Sequence, residues 1–205
     1  MARKPAGTVA LVDYGAGNLR SVENALREVG AQVVVTRDPA VVRSADRVVV
    51  PGQGSMPECA EAMRRSGVAD AFLEAIRKGT PVLGICVGLQ ILFERGEEAG
   101  GARGLGVLAG TVARLPAGAK LPNIGWSPVR LVARDVPLFA PMDGQYVYFA
   151  HSYAAPADAP GVALVATHGG DYCAALAKDN LFAVQFHPEK SQKVGLALLQ
   201  RFVSI

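Results

Sequence analysis

The stretch Pro81 to Glu94, PVLGICVGLQILFE, constrains this chain more than any other. A short apolar run, Val82-Leu83-Gly84-Ile85, leads straight into Cys86, and from Val87 to Glu94 the apolar positions recur at helical spacing. A strand that becomes a helix within one residue needs an unusual backbone at the turn. Glycines two before and two after that residue, Gly84 and Gly88, let strand and helix approach without Cβ clashes. The pattern is that of a nucleophile elbow, with cysteine where many hydrolases carry serine. It aims the sulfur away from the core and sets it by a helix N-terminus, where free N–H groups favour a thiolate. G-x-C-x-G alone leaves open a small buried cysteine on an ordinary βα turn.

Around this stretch the first half of the chain alternates strand and helix. Thr8 to Val12 reads as a buried strand, followed by the loop Asp13-Tyr14-Gly15-Ala16-Gly17-Asn18 and a helix from Leu19 to Val29. Strands follow at Gln32–Thr36 and 47–50, the latter closed by Pro51-Gly52-Gln53-Gly54, and two helical stretches fill 59–78 with a break near Gly67. Such alternation predicts a mostly parallel sheet with helices on both faces, joined by right-handed crossovers. Functional groups in these sheets gather at the carboxyl ends of strands, where the DYGAGN loop, the PGQG loop and Cys86 all fall. From Gly100 short strands replace the helices, at 106–114, 128–132, 145–150, 162–167, 173–177 and 181–185, predicting antiparallel additions to the sheet. A helix at 194–202 packs the end back. With 205 residues and no low-complexity stretch, one domain spanning 1–205 is the economical expectation.

A cysteine nucleophile needs a base, and there are three histidines. His187 follows the strand 181–185 in Gln185-Phe186-His187-Pro188-Glu189, and in an extended stretch His187 and Glu189 point to the same side. The imidazole would take the thiol proton and the carboxylate would fix its tautomer, the logic of nucleophile, base and orienter. A turn beginning at His187-Pro188, with Glu189 solvated, is the other reading. Gly52, Gln53 and Gly54 allow a backbone N–H to join that of Val87 in an oxyanion hole, although Pro-Gly more often marks a plain turn. Gly15-Ala16-Gly17 lacks the third glycine of a dinucleotide fingerprint, since Arg20 stands there, and no phosphate loop is present. His168 sits in a glycine-rich hairpin. His151 is either a structural histidine or, with Ser152 and Tyr153, a polar pocket edge. Trp126, in the turn-like Pro122-Asn123-Ile124-Gly125-Trp126, is either buried or a partner contact.

Charge and cysteine usage remove several classes. A net charge of +3 with interspersed signs gives no electrostatic reason for nucleic acid. Cys59, Cys86 and Cys173 cannot all pair and resemble no zinc site, so no metal or cofactor is expected and a reducing cytoplasm is the natural compartment. Asp13 interrupts the apolar run behind the basic start, and no run approaches the roughly 18 apolar residues of a membrane span.

Taken together, GICVGLQ and QFHPEKS, in that order, resemble the class I glutamine amidotransferases, a cysteine hydrolase family of flavodoxin-like fold. The resemblance implies Cys86 as nucleophile, His187 as base and acid, and Glu189 as orienter. It also implies Gln90, Ser152 and Tyr153 around the amino-acid end of glutamine, with the PGQG loop at the oxyanion. Gln53 departs from the pattern, where relatives often carry an aliphatic residue, but a main-chain N–H does not depend on the side chain. VDYGAGNLRSVENAL, VPGQGS, NIGW, YFAHSY and FHPEKSQKVGLALL are similar to members that serve histidine biosynthesis with a (βα)8-barrel cyclase as partner. On that resemblance Asn18, Asn123 and Trp126 are candidates for the partner interface. A glutaminase subunit of another synthase, such as that of pyridoxal phosphate, and an inert flavodoxin-like binding module are the rival readings.

Overall fold

A computed structural model describes residues 7–15 and 18–205. The basic start, 1–6, lies outside them, as do Ala16 and Gly17 of the glycine-containing loop. Four strands, β1 (Thr8–Val12), β2 (Gln32–Thr36), β3 (Arg47–Gly52) and β4 (Val82–Cys86), alternate with α1 (Leu19–Glu28), α2 (Pro39–Ser44), α3 (Met56–Arg65) and α4 (Val68–Arg77). A one-turn helix, α5 (Val87–Gln90), follows β4 directly. Then come β5 (Phe93–Gly96), β6 (Ala102–Arg103), β7 (Leu108–Arg114), β8 (Asn123–Pro128), β9 (Arg130–Leu131), β10 (Tyr146–His151) and β11 (Tyr153–Ala154). The chain closes with β12 (Val162–Thr167), β13 (Asp171–Lys178), β14 (Leu181–Val184) and α6 (Gln192–Phe202).

Among the described residues an eight-stranded sheet in the order β2-β1-β3-β4-β14-β13-β12-β9 forms the centre. The strands β2, β1, β3, β4 and β14 run parallel, and β13, β12 and β9 continue the sheet antiparallel. The mostly parallel α/β architecture with antiparallel additions is therefore present. Central strands are covered on both faces, which is why β1, β3 and β4 read as near-continuous valine and leucine runs rather than as alternating patterns. Not every late strand joins this sheet: β8 and β10 form a separate two-stranded ribbon, and β11-β7-β5-β6 form a third sheet.

Three departures from the expected elements bear on the site. The helix expected from Cys59 starts at Met56, because Ser55 and Glu58 form a reciprocal capping box directly behind the PGQG loop. The helix expected as far as Glu94 stops at Gln90. Leu105 N–H donates to Ile91 C=O at 2.6 Å and Val107 N–H to Leu92 C=O at 2.9 Å, so a segment returning from later in the chain takes the carbonyls a longer helix would use. Trp126 lies in β8, opposite Tyr148 of β10, rather than in a turn.

Strand order settles the geometry of the site. β4 sits between β3 and β14, with Gly52 opposite Cys86 and Val184 opposite Ile85. The loop after β3 and the segment after β14 thus flank the cysteine, at the carboxyl edge where ligands bind in open α/β sheets.

Candidate active site

Cys86 is the hinge between β4 and α5, with φ 56° and ψ −113°. A non-glycine residue in that region carries backbone strain, and the surroundings hold it there. A Cβ on Gly88 would stand 2.1 Å from the Val50 carbonyl oxygen, and one on Gly84 2.6 Å from that of Gly88. Both glycines are therefore required for the elbow to sit on the sheet. Because α5 has only four residues, its dipole is short, and stabilisation of a thiolate falls chiefly to the group facing the sulfur.

That group is His187. Cys86 and His187 line one cleft of about 340 Å³, with Cys86 only 4 % exposed. His187 Nδ1 lies 2.9 Å from Glu189 Oε1. The carboxylate reaches the imidazole from a 3-10 turn, Pro188–Lys190, rather than from an extended strand. The Glu189 side chain is 1 % exposed and its Oε2 has no hydrogen-bond partner among the described residues. A buried carboxylate so placed depends on the charge of the neighbouring imidazolium. Burial pushes the His187 pKa down, but its interactions with the neighbouring Cys86 and with Glu189 prevail and raise it to about 10. The raised pKa keeps the imidazole protonated beside Cys86.

The backbone of His187 is fixed as firmly as its ring. His187 N–H donates to Tyr148 C=O of β10 at 2.9 Å, and the Ser191 hydroxyl donates to His187 C=O at 2.7 Å. Ser191 Oγ also accepts the Tyr148 N–H at 3.0 Å, tying the histidine to the ribbon. Gly52, Gln53, Gly54 and Val87 line the other side of the cleft. Gly52 lies flush on α5, where a Cβ would meet Gly88 N at 2.4 Å. The Gln53 side chain is exposed, so its identity leaves the loop backbone undisturbed.

Gln90, Ser152 and Tyr153 line the same cleft. Gln90 Nε2 donates to Tyr153 C=O at 2.9 Å and to Gln185 Oε1 at 3.0 Å, which leaves its oxygen as the group to offer a ligand. Gln185, fully buried, points its own Nε2 at Cys86 Sγ, 3.7 Å away. The sequence reading assigned no role to Gln185, although the alternation that paired His187 with Glu189 also places Gln185 on that side. It missed Ser191 and Glu98 too. Glu98 enters the cleft from the 3-10 turn after β5, with Oε2 accepting the Met56 N–H at 2.8 Å, and no local pattern announces it.

His151 takes the structural role. Its Nδ1–H donates to Tyr153 C=O at 2.9 Å and its Nε2 accepts from Asn123 Nδ2 at 3.2 Å, as the neutral ring requires. Burial lowers its pKa to about 4. Asn123, a candidate for a partner interface, is instead buried between His151 and Tyr172. Asn18 caps α1 half-buried and accepts the Ser21 hydroxyl at 2.9 Å. Trp126 does face outward, 44 % exposed and edge-on to Tyr148. With Ile124 at 62 % and Tyr146 at 58 % it makes an apolar outer face on the β8–β10 ribbon, beside the cleft wall formed by Ala150. No group of residues suited to a metal ion occurs among the described residues.

A cysteine elbow at the carboxyl edge of a parallel sheet, facing a histidine held by a carboxylate, defines a cysteine hydrolase. The chain belongs to the class-I glutamine amidotransferase family, whose model matches residues 10–204. Its relatives include proteins named imidazole glycerol phosphate synthase subunit HisH. The one from Geobacter metallireducens is 44 % identical over 203 residues, covering 95 % of this chain and 97 % of its own. The one from Dechloromonas aromatica is 48 % identical, covering 96 % and 95 %. Among solved structures, a glutamine amidotransferase superposes with a TM-score of 0.74 at 18 % identity, covering 96 % of this chain and 99 % of its own. The PurLQS structure from Thermotoga maritima gives 0.73 at 19 %, covering 96 % and 97 %. At those identities the structures speak for the fold.

Proposed function

We propose that this chain is the glutaminase subunit of an imidazole glycerol phosphate synthase, with Cys86, His187 and Glu189 as its catalytic triad. The observation that carries the reading is the strained Cys86 elbow facing a His187 whose proton is held by Glu189. The Cys86 thiolate attacks the side-chain amide carbon of glutamine, and the oxyanion is received by the Val87 N–H and an N–H of the Gly52–Gly54 loop. The His187 imidazolium gives its proton to the leaving nitrogen, releasing ammonia and leaving a thioester on Cys86. The now neutral imidazole takes a proton from water, whose oxygen displaces the sulfur and yields glutamate. Gln90, Ser152 and Tyr153 surround the amino-acid end of the substrate, and the Glu98 carboxylate suits its ammonium.

Ammonia is lost to synthesis once protonated in bulk water, so a partner must receive it in a closed space. The apolar face of Ile124, Trp126 and Tyr146 beside the cleft supports docking there. The partner is a (βα)8-barrel cyclase that forms imidazole glycerol phosphate and an aminoimidazole carboxamide ribotide. No helix among the described residues is long and apolar enough to cross a membrane. The free, buried Cys59, Cys86 and Cys173 suit a reducing cytoplasm.

The test is glutamine hydrolysis with and without the cyclase. The expected result is a 1:1 complex with cyclase-stimulated glutamate release, abolished by Cys86→Ala while complex formation persists. Glutamate release by the Cys86 variant would remove Cys86 from the chemistry, and failure to bind any cyclase would refute the partner.

A further inference from the structure

Two buried side chains outside the triad hold the backbone that supplies the oxyanion donor. β1 pairs with β3 only as far as Leu11 and Val49. Val48 N–H donates to Pro81 on the β4 side, so alternation turns the backbone groups of residues 49, 51 and 53 toward β1. Beyond the end of that ladder the carbonyls of Pro51 and Gln53 have lost their strand partner, and side chains take its place. The Tyr14 hydroxyl donates to Pro51 C=O at 2.5 Å, and the Cys59 thiol donates to Gln53 C=O at 3.3 Å. Tyr14 comes from the loop after β1 and Cys59 from the first turn of α3; they are 5 % and 0 % exposed.

The geometry points to Tyr14 and Cys59 as positioning residues that clamp the oxyanion strand at two carbonyls and so aim its N–H groups. A trans peptide sets its N–H opposite its C=O. Fixing Pro51 C=O therefore fixes the direction of Gly52 N–H, and fixing Gln53 C=O fixes that of Gly54 N–H. The Gly52–Gln53 peptide between them has no side-chain hydrogen bond among the described residues, so reorientation is confined to one peptide with a pivot at each end. Burial holds both Tyr14 and Cys59 in their protonated, donating forms. A role for Cys59 beside an active cysteine, as donor rather than nucleophile, follows from this placement.

The inference rests on the glutaminase reading, and the test separates the two. In the complex with cyclase and acceptor, kcat and KM for glutamine are measured for wild type, Tyr14→Phe, Cys59→Ala and Cys59→Ser, together with alkylation of Cys86 by iodoacetamide. Tyr14→Phe and Cys59→Ala are expected to lower kcat about tenfold or more, as a misaimed donor does. KM should stay within about twofold, because the contact matters in the transition state and not in substrate binding. Alkylation should match wild type, and Cys59→Ser should regain turnover because its hydroxyl also donates to Gln53 C=O. Variants with a lowered melting temperature but wild-type kcat would overturn the clamp, as would a serine variant no better than alanine. Tyr14→Phe, which removes one hydroxyl and keeps the ring, decides the matter if the Cys59 variants fold poorly. A wild-type complex that fails to hydrolyse glutamine would instead overturn the functional reading itself.

Discussion

At the scale of single residues, two buried histidines of opposite electrostatic character line one cleft. His187 is raised from 6.5 to about 10 in the folded chain, so its contribution to stability is complete below about pH 6.5 and is lost as pH climbs through about 10. His151 is lowered from 6.5 to about 4, so the stability that comes from burying it neutral is present above about pH 6.5 and is lost as pH falls toward 4. Thermal melts across that range are expected to show a shallower acid decline in His151→Gln and a shallower alkaline decline in His187→Gln; parallel curves for all three proteins would contradict both assignments. The Glu189 carboxylate, with one oxygen on His187 and the other unpartnered among the described residues, makes a further prediction. Glu189→Gln keeps the shape but loses the charge that favours the imidazolium, so turnover should fall by roughly one to two orders of magnitude while the variant remains more active than His187→Ala. Wild-type turnover in the Glu189 variant would remove it from the site.

At the scale of elements, the β8–β10 ribbon divides its two faces between opposite tasks. Its inner face buries Val147, Phe149 and His151, and the edge of β10 away from β8 carries the Tyr148 backbone contact to His187. Its outer face shows Ile124, Trp126 and Tyr146 to solvent. Titration with the cyclase is expected to shift the emission of Trp126, the only tryptophan, to shorter wavelength. An unchanged spectrum at saturation would place the interface elsewhere. Gly125 and Pro122 punctuate NIGW as they would a turn. What makes it a strand is pairing with residues 146–151, a partner that local pattern does not supply.

At the scale of the whole molecule, a glutaminase that serves a partner gains from being slow alone. On the proposed mechanism an N–H of the PGQG loop receives the oxyanion, which makes that loop the candidate switch. Gly54 adopts φ 95°, which proline cannot follow, so Gly54→Pro would distort this loop rather than merely stiffen it. Comparing free and loaded protein is the cleaner experiment. Turnover of the free chain is expected to lie about a hundredfold or more below that of the acceptor-loaded complex, the effect of one missing oxyanion donor. Cys86 alkylation should be equal in both states. Alkylation that rises in step with turnover would show that the partner opens the cleft instead of completing it.

The sequence by itself determined the elbow, the alternation of the first half and the residue types at each strand end, because those depend on neighbours a few positions apart. Gly84-Ile85-Cys86-Val87-Gly88 places glycines where a tight strand-to-helix turn needs them, and His187 and Glu189 are near enough in the chain to be paired, although a 3-10 turn and not strand periodicity brings them together. What tertiary structure decided lies where distant segments meet. Pairing of β14 beside β4 brings His187 and Gln185 to Cys86, the segment 104–108 cuts α5 to one turn, and Tyr14 and Cys59 replace a strand partner that β1 is too short to provide. Each of these is a hydrogen bond or a packing contact between residues far apart in the chain, and no local spacing encodes it.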